Sequence, residues 1–236
     1  MVGQQAALDV AAGNIANATT PGFRADRALF RQTLVAVSNR AVPTQSLRYS
    51  VARTVEPDQR QGALVQTGRA LDVAFRDENS LFVVSTPQGE RYTRAGSFQL
   101  QPDGRVTTAD GSLVLGAGRQ PLNVPSGSTS VGISPSGELI VDGQPSGSKL
   151  LVVSFTRPQG LVKEGSVLLR ATPQAGRPVE SEPDLATESL ELSNASALDG
   201  MTTLVSATRE FEMLSRVVEA FSQIERRAAT DIMGSR

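Results

Sequence analysis

The chain has 236 residues, 39% of them hydrophobic, enough for one or two domains with real cores, which excludes wholesale disorder. Lys and Arg number 23 against 24 Asp and Glu, so no global field draws in nucleic acid or acidic membrane. The absence of Cys and His excludes thiolate nucleophiles, imidazole bases, disulfides and the usual zinc and haem ligand sets.

No apolar run approaches the roughly 18 to 20 residues that span a bilayer. The start MVGQQAALDV lacks a basic segment followed by an apolar core, so export, if it occurs, is expected without a cleaved signal. From Met1 to about Ala18, Leu8, Ala11, Ile15 and Ala18 fall three and four apart, which predicts a helix with a narrow apolar seam. Asn14 and Asn17 lie near that seam, where polar groups serve register and specificity better than stability. The pattern stops at Thr20-Pro21-Gly22, because proline biases the preceding residue away from helix and glycine permits a sharp turn. Beyond it, the spacing of Phe30, Leu34 and Val37 suggests a further helical turn or two before a polar, Arg-bearing segment.

The middle reads as strands. Leu71 to Phe75, Leu81 to Ser85, Tyr92 to Leu100, Arg105 to Thr108, Leu113 to Leu115, Ser130 to Ile133, Glu138 to Val141, Leu150 to Phe155 and Ser166 to Leu169 are the candidates. Asp103-Gly104, Asp110-Gly111, Ser136-Gly137 and Asp142-Gly143 separate several of them as tight turns, and such close spacing leaves room only for antiparallel pairing. Pro173 to Thr187, rich in Pro, Gly and Glu, reads as a surface connection. At the far end Leu204, Ala207, Phe211, Leu214, Val218, Phe221 and Ala228 form a second, coiled-coil-like seam, with Ser196 or Asp199 as N-cap and Gly234 as stop. Val217 and Ile224 widen its apolar face, so contact with more than one helix is expected. The expected class is α+β, with N- and C-terminal amphipathic helices flanking a central antiparallel, mostly β domain. Residues 1–23 and 190–236 form the helical part, 24–66 a partly irregular connection, 67–172 the β domain and 173–189 the surface connection.

Candidate chemistry is thin. Ser146-Gly147-Ser148-Lys149 fits the S-x-x-K pattern of acyltransferases but lacks the companion elements and sits in a Gly/Ser/Pro-rich turn. The Asp-Gly pairs have no calcium-loop spacing, and Gly116-Ala117-Gly118 has no helix after it to bind a dinucleotide. Asn17-Ala18-Thr19 and Asn194-Ala195-Ser196 fit a glycosylation triplet short enough to arise by chance. Glu56, Asp58, Asp77 and Glu78 are the only acids from which a carboxylate pair for glycoside cleavage is drawn. No catalytic, cofactor-binding or metal residue is expected. Seams at both ends are sheltered only against each other or against other copies, and periodicity alone leaves both open.

Gly13-Asn14-Ile15-Ala16-Asn17-Ala18-Thr19-Thr20-Pro21-Gly22-Phe23-Arg24 closely resembles the N-x-A-N-x-x-T-P-G-F/Y-[KR] signature of flagellar rod and hook proteins. Gln66-Thr67-Gly68-Arg69-Ala70-Leu71-Asp72-Val73-Ala74 and Tyr92-Thr93-Arg94-Ala95-Gly96-Ser97-Phe98 are similar to that family's central-domain motifs. Leu192-Ser193-Asn194-Ala195-Ser196 resembles its S-N-V-N helix opening, departing after the Asn, and Arg209-Glu210-Phe211-Glu212 its R-x-[FY]-E element. The resemblance implies a structural subunit of the axial tube crossing the periplasm, exported by the flagellar type III apparatus, with paired terminal helices inside and the β domain outside. A proximal rod subunit is the expectation, a distal rod or hook subunit the alternative. Relatives open their first helix ahead of the segment beginning here at Met1, so a shortened seam or a late-begun chain is expected. Expected partners are other rod subunits, copies of itself and the export apparatus, with no nucleic acid and no membrane insertion.

The expected interface comprises Leu8, Asn14, Ile15, Asn17, Thr20, Pro21, Gly22, Phe23, Asn194, Leu204, Phe211, Leu214, Val218 and Phe221. Leu204, Phe211, Leu214, Val218 and Phe221 are the packing anchors, each worth roughly 1.5 to 3 kcal/mol when fully buried. A secreted carboxylate-dependent polysaccharide hydrolase and a soluble adaptor using the C-terminal helix are the competing classes.

Overall fold

A computed structural model describes the backbone of residues 2–36, 46–125 and 127–234, with side-chain surroundings for 5–27, 55–125, 127–213, 215–217, 219, 220, 223 and 224. The chain forms two compact units, one of Met1–Ile15, Asp26–Val55 and Ala197–Arg236, the other of Ala16–Ala25 and Glu56–Ser196.

The first unit carries α1 (Val2–Ala16), the strands β1 (Asp26–Ala36) and β2 (Ser46–Pro57), and α2 (Ala197–Gly234). Helices thus stand near both ends, with Ser196 directly before the second. Apolar residues surround α1 instead of forming the expected narrow seam: Ala6, Ala7, Leu8 and Val10 are all half-buried and Ala11 is buried. Where α1 meets α2 the contact is made by small residues. A Cβ on Gly200 would stand 2.6 Å from Ile15 Cγ1, and Ala207, one heptad on, is also buried. Phe30 and Leu34, whose spacing suggested helical turns, lie instead in β1, which pairs with β2 in a two-stranded sheet; Val37 lies outside the described residues. The period of two in Leu47, Tyr49, Val51 and Val55 is the stronger signal, and it settles the pair as strands.

The second unit is antiparallel throughout its paired strands. Its strands are β3 (Leu64–Gln66), β4 (Val73–Phe75), β5 (Leu81–Thr86), β6 (Gly89–Thr93), β7 (Phe98–Leu100), β8 (Val106–Thr108) and β9 (Leu113–Val114). They continue as β10 (Val131–Ile133), β11 (Glu138–Val141), β12 (Gln144–Lys149), β13 (Val152–Ser154), β14 (Leu161–Glu164) and β15 (Leu168–Ala171). The last three are β16 (Val179–Glu180), β17 (Leu185–Thr187) and β18 (Ser189–Glu191). The main sheet runs β14-β15-β6-β5-β9-β8-β7, with β13 joining β5 to β16, and β10-β11-β12 form a separate three-stranded sheet. Asp142 and Gly143, at φ 50 and 78, make the two-residue turn between β11 and β12 that the Asp-Gly pair predicts.

Both faces of the main sheet are covered, and β5 shows why. Phe82 and Val84 enter one apolar cluster with Val73, Phe75, Phe98 and Leu185, while Leu81 and Val83 enter another with Tyr92, Leu151, Val153 and Phe155. Alternation along one strand therefore feeds two cores.

Two segments differ from expectation. Residues 173–189, read as a surface connection, contain β16 and β17 and the fully buried Ala175 and Leu185, because pairing with β13 and β4 recruits them. Ser146 to Lys149 lie in β12, an edge strand that tolerates Pro145, and not in a turn.

Candidate functional site

The signature turn ends α1 and docks on the β unit. Asn17 O accepts from Thr20 N at 3.1 Å, and Thr20 O accepts from Phe23 N at 3.2 Å, which brings the chain round sharply. Gly22, at φ 71, donates its N–H to Glu191 O at 2.8 Å, and a Cβ there would lie 2.3 Å from Ala95 N, so only glycine fits. Phe23 is buried beneath Lys163, whose Nζ stands 3.9 Å from the ring centroid and donates to Arg24 O at 2.6 Å.

Arg24 is buried too. Its guanidinium donates to Gln59 Oε1 and, at 2.7 Å, to Glu78 O, while Nε has no hydrogen-bond partner among the described residues. Burial first, then the neighbouring Arg94, push this guanidinium down to about 10, against the opposing pull of Glu191, Glu78 and Asp58. Beside it Arg94 and Glu191 form an ion pair at 2.6 Å with both side chains almost wholly out of solvent. Arg94 also donates to Ser80 O at 2.6 Å and Asp77 O at 2.7 Å and lies over the Phe75 ring, and Glu191 also accepts from Gly62 N at 3.2 Å. A buried charge pair satisfied on every side in this way is costly to break.

The other motifs close on the same region of the β unit. Thr67 Oγ1 donates to the buried Asp72 at 2.8 Å, Thr67 N donates to Glu188 O at 2.7 Å, and Ser189 N donates to Asp72 O at 3.2 Å. Asn194 accepts from Ala25 N at 2.6 Å and donates to Asp58 O at 3.1 Å and Arg60 O at 2.7 Å. Stretches drawn from residues 20–25, 58–72, 94 and 188–194 are thereby tied together.

Of the expected interface residues, Gly22 and Phe23 are buried within the chain's own β unit, and Pro21, Thr20 and Asn194 are half-buried there. Asn14 turns its amide to its own unit, donating to Asp26 O at 2.9 Å and accepting from Asp26 N at 2.8 Å. Asn17 Oδ1 accepts from Thr20 Oγ1 at 3.3 Å. Leu8, Ile15, Leu204 and Phe211 are half-buried in the helical unit; the side chains of Leu214, Val218 and Phe221 lie outside the described residues. Arg94 and Glu191 went unnoticed as a pair, although Arg94 stands inside a quoted motif. Only their apposition in the fold reveals the partnership.

The four acids considered for glycoside cleavage do not face one another across a cleft. Asp58 is paired with Arg60 at 2.8 Å, and Asp77 accepts from the backbone of Asn79 and Ser80 as a turn cap. Clefts of about 730 and 350 Å³ are lined by none of the four.

Two helical ends with apolar faces, and a β unit whose signature residues hold its own chain crossings together, define a structural protein built for assembly. The sequence matches three family profiles: "Flagella basal body rod protein" over residues 1–24, "Flagellar hook protein FlgE/F/G D1 domain" over 78–141, and "Flagellar basal body rod FlgEFG protein C-terminal" over 186–231. It is 33% identical to the flagellar basal-body rod protein FlgF of Salmonella typhimurium over 93% of this chain and 89% of that protein. Identity to FlgF of Escherichia coli is 34% over 89% and 86%, and to the rod protein FlgG of Bacillus subtilis 31% over 93% and 91%. The chain belongs to the flagellar basal-body rod protein family, whose members are structural subunits of the rod.

Proposed function

We propose that this rod subunit adds to the axial structure through its terminal helices, bound to copies of itself and to other rod subunits, in a tube that carries torque and passes exported subunits. The observation that carries this reading is the second apolar face of α2. Leu198, Met201, Val205, Met213, Val217 and Ile224 are 50% exposed or more. At 100° per residue they lie about half a turn from Gly200 and Ala207, which pack towards α1. A helix apolar on two sides is only partly sheltered alone, and head-to-tail burial of the second side that does not close gives an open helical tube. The subunit acts without catalytic chemistry, is exported without a cleaved signal, and sits where the rod crosses the periplasm.

The proximal rod, the FlgF position, is the favoured place. Pro21-Gly22-Phe23-Arg24 together with Gln66 to Ala74, and the short connection between them, support it; similarity to FlgG keeps the distal rod as the second reading. Phe211→Asp tests the assembly mode. It is expected to abolish incorporation into purified basal bodies while the β unit stays folded, and normal incorporation in a motile cell would overturn the reading. Labelling at the hook end of the rod would move the subunit to the distal position.

A further inference from the structure

The chain passes between its two units four times, at Ile15/Ala16, Ala25/Asp26, Val55/Glu56 and Ser196/Ala197. Four single-chain links with nothing between them would make a loose joint, since each exposed link keeps its own backbone freedom. On the β-unit side they are not separate. Asn194, two residues before the last crossing, accepts from the N–H of Ala25, the last residue before the second crossing, at 2.6 Å. Its amide nitrogen donates to the carbonyls of Asp58, at 3.1 Å, and Arg60, at 2.7 Å, just past the third crossing. Asp58 N–H closes the triangle on Ala25 O at 2.7 Å. The stretch after the first crossing is fastened to the same place by Gly22 N–H on Glu191 O at 2.8 Å and by Asn194 N–H on Phe23 O at 3.4 Å.

We propose that Asn194 is the positioning residue of a joint: one side chain binds three crossings side by side, so that load on the helical unit reaches the β unit through a stiff coupling. The chemistry demands an amide. One acceptor and two donors in a single short planar group are what the three backbone partners need. An aspartate keeps the acceptor but sets a negative charge against two carbonyl oxygens; serine is too short and has one donor. The two buried ionic groups nearby, Arg94 and Glu191, anchor the floor of the joint but contact none of the crossings with a side-chain amide, so Asn194 alone reaches all three. The proposal rests on the chain being a rod subunit, and it gives Asn194 a task inside the subunit, not between subunits.

The test uses full-length Asn194→Ala and Asn194→Asp in the parent bacterium and as purified protein. Hydrogen exchange is expected to quicken by at least tenfold at the Ala25 and Asp58 amides while Val83 and Tyr92, in β5 and β6, keep their protection. Both variants are expected to enter basal bodies at the wild-type level, and swimming speed is expected to fall more steeply with medium viscosity than in the wild type. Three results would each overturn the proposal: exclusion of a folded variant from basal bodies, which would make Asn194 an interface residue; unaltered swimming under load; or loss of protection in β5 and β6, which would reduce Asn194 to general stability. Absence of the wild-type chain from basal bodies would instead strike the rod reading itself.

Discussion

Arg94 and Glu191 stand 97 positions apart, yet each buries its charge only because the other does. Removing one partner leaves the other uncompensated, so Glu191→Ala is expected to cost about 3 to 5 kcal/mol in urea unfolding. Arg94→Met with Glu191→Leu is expected to cost less than the two single changes together, since it removes both charges at once. Additive losses would show that the pair is not coupled. Glu164 offers a contrasting surface case. The hydrogen bond from Arg91 holds its carboxyl below the ordinary 4.5. A carboxylate with a lowered folded pKa contributes stability above the unfolded value and loses it as pH falls through the folded one. Glu164→Gln should therefore narrow the gap between urea midpoints measured at about pH 6 and about pH 3. An unchanged gap would mean that the Arg91 bond is absent in solution.

Among the elements, the turn after α1 depends most on a single residue type. Gly22 and Gly68 both adopt left-handed backbone, at φ 71 and 75, but a Cβ on Gly22 meets Ala95 backbone at 2.3 Å whereas one on Gly68 meets nothing within 4 Å. Gly68→Ala should cost about 1 to 2 kcal/mol of conformational strain, and Gly22→Ala clearly more, because the backbone of Ala95 cannot step aside. Equal losses in matched unfolding curves would place residues 20–24 away from the β unit. Sequence alone carried this turn, through Pro21-Gly22, and it carried most central strands, because Asp-Gly pairs bracket apolar runs such as Leu81 to Val84. It did not carry β14, β16 or β17. Runs of two to four residues take strand form only from partners far along the chain, as Val179 does from Ser154. The hairpin of β1 and β2 was obscured by the chance helical spacing of Phe30 and Leu34. The site divides likewise: Gly22, Phe23 and Asn194 were legible as a signature, but which groups they hold was not, since those partners come from residues 58–60, 95, 163 and 191.

At the scale of the whole molecule the two units hold unequal stores of apolar burial. The β unit has two clusters with Phe75, Phe82 and Phe98 on one face of its sheet and Tyr92 and Phe155 on the other. In the helical unit the buried apolar residues among those described are Ala11 and Ala207, while Met201, Val205, Met213 and Val217 of α2 remain exposed. Alanine burial drives little, and a helix of 38 residues, about 57 Å long, depends on packing more than on propensity. In dilute monomer the helical circular-dichroism signal is therefore expected to vanish at lower urea than the signal of buried Tyr92, giving two transitions where a single cooperative domain gives one. Raising the protein concentration should move only the first transition upward, because association shelters α2 and leaves the β cores as they are. Coincident transitions insensitive to concentration would mean that the helices are already fully sheltered within one chain, and the assembly mode built on the second face of α2 would fall.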